Sequence, residues 1–395
     1  MTARLPGDET SLWLATTAKT DYPPLPANGG VFDVAIVGGG ISGILTAWMC
    51  QKEGLKTVLV EKDRIIANTT GNTTAKLTSQ HNLVYHYLLA KHGRQVAKAF
   101  GQANQQAIED IDAVAQSLGI DCDFERADAH AYTQQSKGLQ AIKDEVKAAK
   151  SLGLPASFVT NTDLPFAVKG AVKFTGQAQF HPRKFLLGVA ADYMAAGGII
   201  FEQTEALDIK TGRPNTLKTK QGELKAGSIV VASKYPFWRR EIFDKATWVK
   251  LSYALGVTLR EDLYPRGMYI STEAPVRTIR SHPYKKSRIL IFGGESHKLT
   301  KGYDKSEHYK NLVTDVGQKF PVDKIIYRWV AGDMMPRDHL PYIGLYPKQS
   351  SVYVITGFHA WGLTWGMVAA GMIRDQINGR ANPLRELFSP KRLEA

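Results

Sequence analysis

The sequence predicts an α/β fold with α+β elements, in which a Rossmann-like parallel sheet interleaves with a second domain of antiparallel strands. Three observations carry this. The β-branched apolar run over 31–37 (VFDVAIV) leads into the turn Gly38-Gly39-Gly40-Ile41-Ser42-Gly43 and a helix over 44–52, and a strand over 56–61 (KTVLVE) completes a βαβ unit. Residues 251–293 are strand-rich (LSYALGVTL, GMYIST, RILIFGG), and the chain closes on a second strand, glycine turn and helix. Segments of the two kinds therefore alternate along the chain, and no single boundary divides them.

Between these landmarks the elements follow in order. Ile108, Ile111, Val114 and Leu118 recur at helical spacing in a zone over 83–118, which Gly119 stops. Leu139, Ile142, Val146 and Ala149 share one face of a helix over 136–152. Pro182 suits a first helical turn and Gly197-Gly198 closes that helix. Short strands are expected over 199–201, 206–209, 217–220 and 228–232.

Composition narrows the class. At 395 residues, 44% hydrophobic and 22% charged, the chain is globular and long enough for two domains. Lys plus Arg number 50 against 37 Asp plus Glu, a net +13 that suits anionic ligands or partners. No interleaved aromatic-basic motif or zinc finger accompanies it, so no nucleic-acid partner is expected. Cys50 and Cys122 are too few for a disulfide framework or a cysteine-rich metal site, and no metal is expected. They suit a reducing compartment. The first thirty residues hold Arg4, Asp8 and Glu9 and then Pro23, Pro24 and Pro26, without an export signal. The expected location is cytoplasmic. Residues 350–373 lack Lys, Arg, Asp and Glu and are long enough to span a bilayer. Their glycines and the alternation at Val352 and Val354 predict a strand, a turn and a buried helix instead.

The glycine turn satisfies G-x-G-x-x-G, and its setting makes the pattern informative: it follows a strand, opens a helix, and is followed by Glu61 at the end of the next strand. Gly38 permits the tight turn, Gly40 admits a pyrophosphate and Gly43 lets helix and strand approach. The free N–H groups over Ile41 and Ser42 favour phosphate, and Glu61, beside Lys62, would accept from ribose hydroxyls. FAD is preferred over NAD because C-terminal backbone returns to the isoalloxazine in FAD enzymes of this architecture.

The motifs TTGNTTAKLTSQH (69–81), GQAQFHP (176–182), VVASKYPF (230–237), DHLPYIG (338–344) and TGFHAWGLTWG (356–366) go further. With them the chain resembles the D-amino-acid oxidase, glycine oxidase and sarcosine oxidase superfamily, in the branch often fused to a C-terminal Rieske domain. The resemblance implies a FAD-binding domain of glutathione-reductase type over 31–82, 165–245 and 325–395. It implies a substrate or cap domain over 83–164 and 246–324, with residues 1–30 as an extension. It sets Thr70, Thr73, Thr74 and Lys76 along the flavin, Ala232 beside the nucleotide, and Gly344, Gly357, Gly362, Leu363 and Thr364 on the pyrimidine side. Thr364 falls where sarcosine oxidases grip the substrate carboxylate with lysine. Lys298 aligns with the lysine that promotes oxygen reaction, while His181 and Arg337 are candidates to line the active site or grip a carboxylate. A Rieske centre needs two Cys and two His, and Cys50 and Cys122 lie elsewhere, so no such cluster is expected. The covalent cysteine of sarcosine oxidases would fall near Tyr327, so FAD is expected to be non-covalent.

The implied reaction is oxidation of a C–N bond of a small amine or amino acid, with hydride passing to flavin N5 and an imine as product. Electrons would go to oxygen or to a separate carrier. The basic window over 277–301 (Arg277, Arg280, Lys285, Lys286, Arg288, Lys298, Lys301) would be a solvated face, an anionic approach or a docking patch for an acidic carrier. Two other readings compete. An aromatic-hydroxylase-type flavin monooxygenase would use Gly332-Asp333 as its GD element, although Met334-Met335-Pro336 follow where a helix start belongs. A non-catalytic flavin- or nucleic-acid-binding protein is suggested only by the charge.

Overall fold

A computed structural model describes residues 5–300 and 302–394; Arg4, Lys301 and Ala395 lie outside the described residues. Strands Asn28–Val37, Thr57–Val60, Ile199–Phe201 and Glu223–Val231 run parallel in the first sheet. Glu223–Val231 pairs along its first half with Asn215–Thr219 and along its second half with Val352–Thr356. The strand at the centre is apolar on both faces, as a covered parallel strand must be. Val34 and Ile36 pack toward the helices, whereas Ala35 and Val37 pack into the opposite core with Val58, Val231 and Val354.

Helix Ile41–Lys52 begins directly after Gly40, three residues earlier than the apolar pattern suggested. It packs against Gly362–Ile377 and Pro182–Ala195. An ideal Cβ on Gly43 would sit 1.8 Å from the Gly38 carbonyl oxygen, so only glycine lets this helix close on the strand. Tyr85–Ser117 is interrupted at Gly93, whose φ of +79° breaks the expected helical zone in two. The expected helix over 136–152 opens as a tight turn at Ser136–Gly138 and becomes regular over Leu139–Ser151.

The second sheet has nine strands among the described residues. Its centre is antiparallel, Val322–Pro336 beside Thr247–Leu259, then Ser287–Lys298 and Thr278–Tyr284. Lys305–Lys319 covers it through Tyr309, Leu312 and Val316. Two of its strands, Gly170–Phe174 and Val322–Pro336, lie in segments the sequence grouped with the nucleotide sheet. Their partners, Ala129–Thr133 and Thr247–Leu259, are distant in sequence, and no local pattern encodes such pairings. The charge-free stretch over 350–373 divides into the strand Val352–Thr356 and the 16-residue helix that follows. No described helix is long and apolar enough to cross a membrane.

The N-terminal extension is tied down at the junction of the two sheets. Trp13, fully buried, donates from Nε1 to the Thr73 carbonyl at 2.7 Å, and the Ser11 hydroxyl donates to the Gly71 carbonyl.

Candidate functional site

A cavity of about 570 Å³ runs from the glycine turn, between the sheets, to the antiparallel wall. At the nucleotide end Gly38 has φ +115° and its ideal Cβ would lie 2.7 Å from the Ala232 carbonyl oxygen. Gly40 caps the helix without a side chain, and the Ile41 N–H meets only the Thr70 hydroxyl, at 3.2 Å. Glu61 lines the cavity and accepts from the Gly39 N–H at 2.7 Å and the Asp63 N–H at 2.9 Å. Burial pushes its carboxyl up, and the two N–H groups oppose that. A glycine cradle, a helix start bare of side-chain caps and a carboxylate at the next strand end are what a dinucleotide needs, so the residues fit FAD.

Most residues expected around the cofactor converge here. Gly38, Gly40, Ile41, Ser42, Glu61 and Lys62 line one end, Thr70, Thr73, Thr74 and Lys76 the long side. Ala232, Gly357, Gly362 and Leu363 complete it. Gly43 lies behind the turn as a packing residue. Gly344 sits outside the cavity in the strand Tyr342–Leu345, and Thr364 is buried, its hydroxyl donating to Asn104 Oδ1 at 2.6 Å.

None of the three expected catalytic residues lines the cavity. Lys298 ends its strand exposed to solvent and outside the cavity lining, although it stands opposite the cavity-lining Lys250 in the pairing with Thr247–Leu259. His181 is the N-cap of Pro182–Ala195; its Nδ1 accepts from the Lys184 N–H at 3.2 Å and its Nε2 meets Thr16 Oγ1 at 3.0 Å. Arg337 is exposed and donates to the Lys245 carbonyl at 2.9 Å. The basic window is not a uniformly solvated face either. Arg277 is buried against Glu295 and Asp315, Arg288 pairs with Glu125, and Arg280 is fully buried.

The charged groups that do line the antiparallel wall were not singled out as site residues from sequence, apart from Lys76. Lys76 donates to the Thr278 hydroxyl, and burial together with the Arg280 charge pulls it down to about 7. Lys234 donates to the Thr69 hydroxyl and to the Gly332 carbonyl; burial lowers it to about 8 against the pull of Asp333. Lys250 is also lowered by burial, and Asp333 is raised by burial with both lysines opposing. Lys234 was visible in VVASKYPF and Asp333 in the Gly332-Asp333 pair, there read as part of a competing motif; Lys250 had no local signal.

The family model described as FAD dependent oxidoreductase (DAO) matches residues 33–376. The chain belongs to the DAO family of FAD-dependent oxidoreductases. A Bacillus subtilis (strain 168) relative named as a Rieske 2Fe-2S iron-sulfur protein, YhfW, is 33% identical over 379 residues, 95% of this chain and 74% of that protein. The gamma-glutamylputrescine oxidoreductase of Escherichia coli (strain K12) is 21% identical over 95% of this chain and 90% of its own. Glycine oxidase from Geobacillus kaustophilus shares the fold at TM-score 0.79 and 20% identity, covering 92% of this chain and 99% of that one. L-proline dehydrogenase from P. horikoshii follows at 0.76 and 17%, with 94% and 98% covered. This DAO-family chain is thus a mixed α/β FAD-dependent enzyme of the amino-acid oxidase and dehydrogenase fold.

Proposed function

We propose that this DAO-family enzyme oxidises a C–N bond of a small amine or amino acid, with electrons passing on to oxygen or a separate carrier. The observation that carries the reading is one cavity that joins a dinucleotide cradle to a charged wall, with Lys76, Lys250 and Asp333 on the side away from the glycine turn. Bound FAD supplies the two-electron chemistry, and the chain positions the substrate and excludes water. The related glycine oxidase, L-proline dehydrogenase and gamma-glutamylputrescine oxidoreductase, by their names, act on such nitrogen compounds. Non-covalent FAD is supported by the absence of either cysteine from the cavity lining, and a reducing, cytoplasmic setting by two buried free thiols. Gly332 and Asp333 lie inside the strand Val322–Pro336, not at a helix start, which removes the basis of the hydroxylase reading.

The test is anaerobic titration of the FAD-loaded protein with amines, N-methyl amino acids and D- and L-amino acids, followed by air. One class is expected to bleach the oxidised flavin band, and fast recovery in air marks an oxidase. Slow recovery marks a dehydrogenase. Absence of bleaching by every C–N compound overturns the proposal.

A further inference from the structure

Two charged side chains on the cavity wall are left unmatched by the protein. Lys250 and Asp333 stand directly opposite each other where Thr247–Leu259 pairs antiparallel with Val322–Pro336. Opposite residues in such a pair have Cβ atoms about 4.5–5.5 Å apart, close enough for the two ends to meet. They do not: both line the cavity, and among the described residues neither has a hydrogen bond or an ion pair, each acting on the other only through space. The other lysines on this wall are engaged, Lys76 with Thr278 and Lys234 with Thr69 and Gly332. The two serines beside the pair satisfy each other, Ser252 and Ser296 lying 2.8 Å apart. What is left is one ammonium and one carboxylate, side by side, facing the same space.

A half-buried carboxylate and a half-buried ammonium on one cavity wall, neither bonded by the protein, call for partners. A simple amine would match Asp333 and leave Lys250 uncompensated, and a simple acid would do the reverse. A zwitterion matches both. Resting on the C–N oxidation reading above, we propose that Lys250 and Asp333 form the specificity pair of the substrate site, Lys250 taking the carboxylate and Asp333 the amino group of a free amino acid. The cavity is also lined by Ile270, Val276, Met334 and Phe358, which suit an apolar side chain. A site that hydrogen-bonds both ends rejects analogues missing either, because the matching protein group is then left unpaired.

Direct binding to the FAD-loaded protein tests this without turnover. The probes are 2-aminoisobutyrate and 1-aminocyclohexanecarboxylate, against pivalate and tert-butylamine, none of which carries the hydrogen on a nitrogen-bearing carbon that oxidation would remove, read by calorimetry and flavin difference spectra. At least one zwitterion is expected to bind, with each singly charged analogue weaker by about tenfold or more, a difference of about 1.4 kcal/mol. Lys250→Met and Asp333→Asn should each weaken the zwitterion by about tenfold or more, with Lys250→Arg and Asp333→Glu recovering part of the loss. FAD content per chain reports whether each variant is folded, and the selectivity of the unaltered protein stands independently of any variant. Equal binding of the singly charged analogues, no binding of either zwitterion, or FAD-replete variants that bind as the parent does would overturn the pair. Bleaching by a C–N compound together with unchanged selectivity in Asp333→Asn would sink the pair and spare the oxidation reading. Zwitterion selectivity without bleaching by any C–N compound would do the opposite.

Discussion

At the scale of single residues, what a side chain touches decides its role, and Glu61 and Lys298 mark the two extremes. Glu61 is 9% exposed, faces the cavity and is held by two backbone N–H groups, and the ribose role expected of it is open to test. Glu61→Ala should weaken FAD binding by about tenfold or more, the scale of one charge-assisted hydrogen bond or more. Flavin fluorescence released on dilution checks it, and unchanged retention would count against the ribose role. Lys298 is exposed and outside the cavity, so Lys298→Met should leave reoxidation of the reduced flavin by air unchanged. A stopped-flow trace slowed severalfold would return Lys298 to the site. The glycine end of the cavity was legible because the fingerprint is local: turn, helix start and acidic strand end lie within a single βαβ unit. The juxtaposition of Lys250 and Asp333 was not, because it depends on the register between two strands far apart in sequence, which no short motif encodes.

At the scale of elements, helix ends show the same division between local and distant information. The N-cap of Pro182–Ala195 could be read from Pro182, since proline at the first turn and a polar residue before it are local signals. The start of Tyr85–Ser117 could not. Its Val84, Tyr85 and His86 N–H groups, at 2.8–2.9 Å, all donate to the carboxylate of Glu145, a fully buried residue on the helix Leu139–Ser151. Val84 itself offers no capping side chain, so the helix end is closed from another element. Glu145→Ala should leave two buried donors, those of Val84 and Tyr85, and the half-buried one of His86 without their partner, and destabilise the fold by about 1–3 kcal/mol, as for a buried polar group deprived of its partner. Urea unfolding monitored by circular dichroism measures this, and a change below about 0.5 kcal/mol would show that water replaces the carboxylate.

For the whole molecule, the interleaving of the sheets was legible while the membership of individual strands was not. A run such as Gly170–Phe174 reads alike in either sheet, and only the pairing partner assigns it. The interleaving also creates a buried joint where the N-terminal extension, the flavin-side segment and the antiparallel sheet meet. There Trp13 packs edge-on against His181 and His282, with ring centroids 4.8 Å away in each case. Arg280, fully buried, donates to the Thr74 carbonyl at 3.2 Å, also to the Ala75 carbonyl, and contacts His282 Nδ1 at 2.8 Å. Burial lowers His181 to about 3, with the neighbouring His282 adding to it, and burial lowers His282 to about 4 against the opposing pull of Asp123. An unfolded chain takes up these protons near pH 6.5, whereas the folded one resists until pH 3–4. Between those limits the unfolded state binds more protons, so stability is full above about pH 6.5 and falls as the solution is acidified toward pH 4. Each such histidine contributes up to about 1.4 kcal/mol per pH unit in that window. Asparagine can keep the N-cap bond to the Lys184 N–H while removing the titrating ring, so His181→Asn should flatten the acid limb of the thermal midpoint measured from pH 7 to pH 4. An acid limb as steep as that of the parent would show that the joint opens to water before it unfolds and that the protons enter by another route.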